Sequence, residues 1–270
     1  MSRVWVILGV LCLLGSGTLA ADPIVALKIS GIEGKPNGFR ELLAQALANQ
    51  GYRVQFELSG EFPVQRREFL LENGDLTVAM MGRTEDRDAK FLSVNVGLTD
   101  NLVGKRLLYI PKGTQRDYDG VKTLDDFRRL GKVAGMGTGW ADVAIWKANG
   151  LPVVGQAGDW KVLYPLIASG NRGIDYTTRG ANEMLGEWTG HRELDIEKNL
   201  VLVYQHDQIL YLTPKRPELQ PILDQALKAA RDSGLIRKLA TQANRGINDP
   251  PINLNRRLEI ALKLPPGWKD

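Results

Sequence analysis

Apolar and polar positions alternate along this chain with two different periods, which predict strands followed by helices. Every second residue from 52 to 58 is apolar, the pattern of a half-buried strand. Segments 37–51 and 218–233 place apolar residues on one helical face, and a glycine closes each of them. Short apolar runs predict further strands at 23–29, 76–81, 107–110, 151–154 and 174–177. This order is typical of α/β proteins in which helices cover a mostly parallel sheet.

The strand–helix series occurs twice, without a detectable sequence repeat, and helices follow it. A shorter helix is predicted at 235–243. The tail beyond it carries Pro250-Pro251 and predicts a last helix over 254–262. We expect this tail to pack back onto the body of the protein.

The first twenty residues have the pattern of a secretion signal. Arg3 gives a positive start, residues 4–14 form an apolar core, and small residues precede a cleavage site after Ala20. A membrane anchor is the alternative, but the apolar run is short for a membrane span. Residues 1–20 therefore predict a cleaved signal peptide and a periplasmic protein. Cys12 is the only cysteine, so the mature chain must be stable without disulfides.

Charge and composition exclude several classes of function. The chain has 35 lysines and arginines and 31 acidic residues, and the two signs are well mixed. Because there is no basic block, we expect neither nucleic acid nor a membrane surface as a partner. The sequence contains no metal-ligand spacing and no nucleophile motif, and His191 and His206 stand in contexts typical of structural roles. We therefore expect no cofactor, no metal and no catalysis.

A glycine-rich turn stands between a short apolar run and an amphipathic helix, at Gly135–Asp142. Gly137, Thr138 and Gly139 would let the backbone approach a ligand closely, and free N–H groups at a helix start attract anions. The alternative is a tight turn with no ligand. Trp140 follows at once, and either stacks on a ligand or packs in the core.

Three ordered segments carry a resemblance to a known family. They are Gly74–Phe91, which contains Thr84-Glu85-Asp86-Arg87, then Val121–Thr138, and then Pro217–Ile236. In this order and spacing the chain resembles the extracellular solute-binding proteins of family 3, the amino-acid-binding type of periplasmic binding protein. The resemblance covers nearly the whole mature chain.

The resemblance implies the two-lobed type II periplasmic-binding-protein fold. Each lobe would be a mostly parallel sheet flanked by helices, and two crossing strands would form the hinge. Lobe one would comprise residues 22–108 together with 207–270, and lobe two residues 109–206. The crossings would fall near Leu107–Ile110 and Val203–Gln208, and a ligand would bind in the cleft as the lobes close.

The same resemblance implies ligand-binding residues in both lobes. Arg87 stands where the family's arginine grips the ligand's carboxylate, a task that suits a planar guanidinium. Its alternative is a surface arginine in a charged run. Met81 and Gly82 would end the lobe-one strand at the ligand, or else belong to ordinary core. In lobe two the glycine turn matches the family's glycine-threonine turn, although Gly139 replaces the second threonine.

The main departure from the family follows the strand that ends the second series. The family places an acid there to hold the ligand's ammonium group, whereas this chain has Arg179. If Arg87 also faces the cleft, an anionic ligand such as a carboxylate fits better than an ordinary α-amino acid. Tyr176 would add a hydroxyl group. The alternative is that Arg179 pairs with Asp175 or Glu183 on the surface.

Together these features predict a monomeric periplasmic solute-binding protein that captures a small anionic metabolite for the permease of an ABC-type importer. One alternative is a sensory or accessory module that meets a receptor. Another is an enzyme on the same fold, similar to cyclohexadienyl dehydratases. The hypothesis further predicts that Arg87→Ala abolishes stabilisation by ligand and hardly moves the melting temperature of the free protein.

Overall fold

The computed structural model describes residues 22–34, 38–170 and 173–268. The predicted signal peptide, residues 1–20 with Cys12, lies outside the described residues. No helix in the described part of the chain is long and apolar enough to cross a membrane.

The described residues form twelve strands and nine α-helices, close to the predicted order. The strands are β1 (Ile24–Ile29), β2 (Arg53–Leu58), β3 (Val78–Gly82), β4 (Leu92–Val94), β5 (Lys105–Pro111), β6 (Ala134–Gly137), β7 (Val153–Gln156), β8 (Tyr176–Gly180), β9 (Leu194–Ile196), β10 (Leu200–Val203), β11 (Gln208–Leu212) and β12 (Leu258–Ala261). The helices are α1 (Gly38–Ala48), α2 (Val64–Asn73), α3 (Glu85–Lys90), α4 (Leu124–Arg129), α5 (Ala141–Ala148), α6 (Leu163–Ala168), α7 (Ala181–Glu187), α8 (Leu219–Asp232) and α9 (Leu235–Ala243).

Lobe one contains two small sheets that share one apolar core with α1, α8 and α9. β1 and β2 pair in parallel, whereas β11 lies antiparallel between β3 and β4. The N–H of Thr77 donates to the Lys28 carbonyl oxygen at 2.8 Å, which ties the two sheets together. The amphipathic face predicted for α8 is the buried one, formed by Leu219, Leu223, Ala226, Leu227 and Ala230.

Lobe two is built on a seven-stranded sheet in the order β12-β10-β5-β8-β6-β7, with β9 beside β5. β6 is parallel to β7 and β8, and β10 is parallel to β12, but β5 is antiparallel to β8, β9 and β10. The predicted two-lobed α/β class is confirmed, although the sheets are mixed rather than mostly parallel. β5 and β11 enter their sheets from the other lobe and not through a crossover helix, so they are free to run antiparallel to their neighbours.

The chain crosses between the lobes at 95–104 and at 204–207, and a third time at 244–257, between α9 and β12. β4 ends in a lobe-one sheet and β5 begins in the lobe-two sheet, while β10 and β11 flank the second crossing. The predicted first crossing at Leu107–Ile110 is wrong, because residues 105–111 form one strand that pairs with β8 and β10. The predicted boundary between 108 and 109 would cut this strand in two.

The C-terminal tail also departs from its prediction. β12 pairs in parallel with β10, so the predicted helix over 254–262 is wrong and this part of the tail belongs with lobe two. Arg257 anchors it there, since its buried guanidinium donates to the carbonyl oxygens of Ile252 at 2.6 Å and Leu200 at 3.0 Å. The fully buried carboxylate of Glu197 lies 3.7 Å away and balances the charge.

Candidate functional site

A cleft separates the lobes, and a cavity of about 150 Å³ occupies its inner part. Four arginine side chains line this cavity, which we call the arginine chamber. Arg67 on α2 and Arg87 on α3 reach it from lobe one, and Arg106 on β5 and Arg179 on β8 reach it from lobe two. Such a concentration of guanidinium groups between two lobes makes the chamber the candidate functional site.

A larger groove of about 680 Å³ adjoins the chamber, because Arg179 and Glu183 line both. The lobe-one wall of the groove is mainly apolar and includes Phe39, Leu42, Met80, Leu98, Ile236 and Leu239. Its lobe-two wall is polar, and the buried Oδ1 atom of Asn182 has no hydrogen-bond partner among the described residues. Small-molecule sites typically enclose about 300–1,000 Å³, so the groove is large enough for a metabolite.

Arg87 reaches the chamber, but each of its guanidinium nitrogens already has a protein acceptor. Nε donates to Glu68 Oε1 at 2.7 Å and Nη1 to the Gly82 carbonyl oxygen at 2.6 Å. Nη2 crosses the cleft and donates to the carbonyl oxygen of Gly139 at 2.7 Å. Arg87 is therefore a buried link between the lobes and not a surface arginine. Its role as a carboxylate ligand stays a prediction, because a ligand would compete with these three bonds.

The glycine turn presents carbonyl oxygens to lobe one, contrary to the expected row of N–H donors. The Thr138 and Gly139 carbonyl oxygens accept hydrogen bonds from Gln65 and Arg87. The N–H groups of Thr138 and Trp140 are used within lobe two, on the carbonyl oxygens of Gln156 and Gly137. This side of the turn is therefore suited to accept hydrogen bonds from lobe one.

Arg106 and Asp142 form a buried ion pair at the floor of the chamber. Arg106 Nε lies 2.5 Å from Asp142 Oδ1, and the Tyr204 hydroxyl donates to the same oxygen at 2.6 Å. Burial by itself raises the pKa of Asp142, but Arg106 and the hydroxyl of Tyr204 together hold that pKa below its ordinary value. The pair is thus ionised at neutral pH and fixes the entry of β5 into lobe two.

Arg179 is held between two carboxylates and two indole rings. Its Nε donates to Glu187 Oε1 at 2.5 Å, and its Nη1 lies 3.4 Å from Glu183 Oε2. The guanidinium carbon stacks over Trp160 at 4.3 Å and over Trp140 at 5.3 Å. Burial by itself raises the pKa of Glu183, but Arg179 and Arg106 lower it overall. Arg179 does pair with Glu183, as the alternative expected, yet the pair lies in the cleft and not on the surface.

Arg67 is the arginine of the chamber that has a buried guanidinium nitrogen without a partner among the described residues, and it was not among the predicted site residues. Its Nη1 donates to the Met80 carbonyl oxygen at 3.1 Å. Its Nε is buried and has no hydrogen-bond partner among the described residues. Burial, and next the nearby charge of Arg87, lower the pKa of Arg67. Both effects mean that a negative group brought close to Arg67 would be stabilised.

The remaining predicted site residues fall into two groups. Met81, Gly82 and Trp140 line the chamber together with Arg87, Gly139 and Arg179. Gly137 lies beneath the Trp140 ring, which leaves no room for a side chain, and it does not reach the chamber. The Thr138 side chain also stays outside it.

Tyr176 is fully buried in lobe two, where its hydroxyl accepts from Trp146 Nε1 at 2.9 Å. Its predicted place at the ligand is wrong, because the first residue of β8 points into the core. No group of three or more His, Cys, Asp or Glu side chains in the described part of the chain is arranged to hold a metal ion.

No protein-family model matches the chain, and no curated protein matches it by sequence. Solved structures do match its fold. An ancestral arginine-binding protein bound to glutamine has a TM-score of 0.57 and 18% identity over 81% of this chain and 97% of its own. An amino acid ABC transporter substrate-binding protein from Streptococcus pneumoniae, bound to L-arginine, has a TM-score of 0.55 and 17% identity over 81% and 94%. The chain has the fold of ABC-transporter substrate-binding proteins.

A third neighbour is the ancestral amino acid-binding protein AncCDT-1, described as a precursor of cyclohexadienyl dehydratase. It has a TM-score of 0.54 and 16% identity over 80% of this chain and 94% of its own. In the substrate-binding fold the arginine chamber and the groove together form the cleft between the lobes. At these identities the neighbours describe the fold alone, so the ligand has to be argued from the side chains of this chain.

Proposed function

We propose that this protein is a periplasmic solute-binding protein that captures a small carboxylate-bearing metabolite between its lobes and delivers it to an ABC-type importer. The observation that carries the proposal is the buried, unpaired Nε of Arg67 in a chamber that closes between two lobes. A guanidinium binds a carboxylate through two charge-assisted hydrogen bonds, and each contributes about 1.5–3 kcal/mol. The transporter partner and the periplasmic location rest on the substrate-binding fold and on the predicted signal peptide.

The pairing of charges around the chamber leaves one arginine for an anionic group. Asp142 and Glu183 line the chamber, and Glu68 and Glu187 meet Arg87 and Arg179 from outside it, whereas Arg67 has no carboxylate partner among the described residues. Asp142 and Glu183 are already paired with arginines, so neither is available for a ligand's ammonium group. The neighbours include proteins bound to arginine and to glutamine, and both of those ligands also carry an α-carboxylate. A carboxylate at Arg67 is therefore compatible with an amino acid as well as with a simple acid.

The volumes of the two cavities indicate where the parts of a ligand would lie: its carboxylate head in the chamber and the rest of the molecule, its body, in the groove. A chamber of about 150 Å³ holds a carboxylate and a few further atoms, whereas the adjoining groove offers about 680 Å³. The apolar lobe-one wall favours a hydrophobic or neutral body, and the buried Oδ1 of Asn182 would accept a hydrogen bond from it. A ligand that contacts both walls would favour the closed arrangement through its higher affinity for it.

The charge states of the cleft acids support binding rather than catalysis. A dehydratase needs a protonated group that can donate to a leaving hydroxyl. Asp142 and Glu183 each have a pKa held below the ordinary value by neighbouring arginines, so both are ionised at neutral pH. Burial raises the pKa of the Tyr204 hydroxyl, which therefore stays protonated. This hydroxyl already donates its hydrogen bond to Asp142.

A thermal-shift comparison of matched ligands on the mature chain tests the proposal. Each L-amino acid or small carboxylic acid is compared with its primary amide, which has the same body without the negative charge. A ligand at 100 times its Kd stabilises a protein by about 2.7 kcal/mol. For a chain of this size that raises the melting temperature by roughly 5–11 °C. We expect a shift from one or more carboxylates and none from the corresponding amides.

Two variants test whether Arg67 binds the carboxylate. Arg67→Ala is expected to remove the ligand-induced shift. Arg66→Ala is the matched control, because Arg66 precedes it on the same helix and its guanidinium stacks on Phe69 at 5.0 Å. Equal stabilisation by acids and amides, or a full shift in Arg67→Ala, would rule out carboxylate recognition at Arg67.

A further inference from the structure

The last residues of the chain pass from one lobe to the other. α9 packs in the core of lobe one, and β12 pairs with β10 in lobe two. Residues 262–268, which we call the C-terminal strap, continue beyond β12 to the line where the lobes meet. The chain therefore crosses a third time at 244–257, between α9 and β12, and the strap then returns from lobe two towards lobe one.

The first half of the strap is fixed to lobe two. Asn149, at the end of α5, is buried and holds the backbone of Lys263 from both sides: its Nδ2 donates to the Lys263 carbonyl oxygen at 2.8 Å, and its Oδ1 accepts from the Lys263 N–H at 2.9 Å. Leu262 and Leu264 pack on the adjacent apolar cluster. This double hydrogen bond gives the strap a defined starting point.

The second half of the strap is a stiff turn. Pro265-Pro266-Gly267-Trp268 closes with a hydrogen bond from the Trp268 N–H to the Pro265 carbonyl oxygen at 3.1 Å. Proline in the second position and a glycine with φ of 84° in the third are the residues that a type II turn favours. Two consecutive prolines also reduce the freedom of the strap before it docks. The turn therefore presents Trp268 in one direction.

Trp268 packs against the apolar cluster of lobe two and also reaches the second crossing and lobe one. Its ring lies 4.8 Å from the ring of His206, at an angle of 33°. His206 lines the chamber and contacts the carbonyl oxygen of Arg83 through Nε2 at 2.8 Å. A methyl group placed on Gly267 would lie 3.1 Å from Glu85 Oε1. A cavity of about 360 Å³ beside this contact is lined by α3, by the start of α5 and by Trp268, so the indole stands between the two lobes.

We propose that the C-terminal strap is a non-covalent link between the lobes, in addition to the crossing segments, which holds the cleft near its closed arrangement through the contact of Trp268 with His206. The strap is anchored on lobe two by Asn149 and meets lobe one at α3, whose Arg87 makes the interlobe bond to Gly139. Opening the cleft would separate Trp268 from α3 or pull the strap from Asn149. This inference concerns the lobes alone and does not depend on which ligand binds.

Hydrogen exchange of the ligand-free mature chain tests the strap. Three chains are compared: the full chain, a chain that ends at Trp268, and a chain that ends at Leu264 and so keeps the Asn149 anchor but lacks the turn and the indole. We expect amides of 83–90 and 137–141 to exchange at least tenfold faster in the chain that ends at Leu264. The chain that ends at Trp268 should match the full chain.

Point variants keep the test decisive if the shortened chain does not fold. Trp268→Ala should reproduce the faster exchange, and Trp268→Phe, which keeps an aromatic ring against His206, should restore most of the protection. α8 is the internal reference, since it lies within lobe one. Unchanged exchange in Trp268→Ala would overturn the proposal, and so would unchanged exchange in the shortened chain. An equal increase in α8 would overturn it too, because it would show a general loss of stability.

Discussion

Replacing Arg87 by alanine tests the role that the structure gives this residue. The sequence alone predicts that Arg87→Ala hardly changes the melting temperature of the free protein. The structure predicts a large change, because the Arg87 side chain is only 5% exposed and bonds Glu68, Gly82 and Gly139. Two of these bonds hold α3 to its own lobe, and the third joins the lobes.

The loss of stability in Arg87→Ala can be estimated from the groups that lose their hydrogen-bond partner, above all Glu68. Breaking a buried ion pair by removing one member costs about 3–5 kcal/mol. Glu68 is 28% exposed and regains part of its hydration, so we place the loss at about 3 kcal/mol. For a chain of this length that corresponds to a fall in melting temperature of about 6–12 °C. Differential scanning calorimetry of the ligand-free mature protein measures it.

Arg83→Ala is the matched control, four residues earlier. Its guanidinium makes one ion pair, with Asp88 at 2.6 Å, and both side chains are about a quarter exposed. Such a pair contributes less than about 1 kcal/mol, so we expect a fall of less than about 4 °C. If Arg87→Ala melts no lower than Arg83→Ala, the three bonds of Arg87 do not stabilise the free protein, and the reasoning from the structure fails.

Three further changes probe neighbouring contacts. Asp142→Asn leaves the buried charge of Arg106 with Glu183 as its remaining carboxylate partner and should lower the free energy of unfolding by about 3 kcal/mol in urea titrations. Burial lowers the pKa of His206 below its ordinary value, so the unfolded chain binds the extra proton first. Stability should then fall as pH drops below about 6.5, by at most about 1.4 kcal/mol per pH unit, and less steeply in His206→Gln. Asn149→Ala removes two hydrogen bonds from Lys263 and should cost about 1–3 kcal/mol in the same titrations.

Local patterns in the sequence were enough for most elements of the fold. The alternation of apolar and polar residues predicts β2, and the helical spacing of apolar residues predicts α8. Each pattern is local because it describes which face of a single element is buried. The tail was misread although its signal is present: Ile260, Leu262 and Leu264 alternate, as a strand requires, and Pro266-Gly267 is typical of a type II turn. The partner of this strand lies about sixty residues earlier in the chain, and no local pattern names it.

The glycine turn shows why the site was harder to predict than the fold. Its composition permits a close approach of the backbone, but a peptide plane can present either its N–H or its carbonyl oxygen to a neighbour. The choice depends on contacts with distant segments. Within lobe two, the N–H of Thr138 donates to the carbonyl oxygen of Gln156. From lobe one, Gln65 and Arg87 donate to the carbonyl oxygens of Thr138 and Gly139.

The contacts in the chamber favour Arg67 over Arg87 as the residue that binds a carboxylate. Arg87 is the arginine that the resemblance selects, but each of its guanidinium nitrogens already donates to a protein oxygen and its charge is met by Glu68, which contacts it from outside the chamber. Arg67 does carry a sequence signal, since it stands three residues before Leu70 and four before Leu71, on the face of α2 that is buried, where an arginine is unusual. Its unpaired Nε is seen only once the lobes enclose it. An anion bound at Arg67 would add the missing partner to its Nε, whereas an anion at Arg87 would have to share nitrogens that already donate to Glu68, Gly82 and Gly139. The proposed carboxylate site therefore stabilises the closed cleft at Arg67 and leaves the Arg87 link in place.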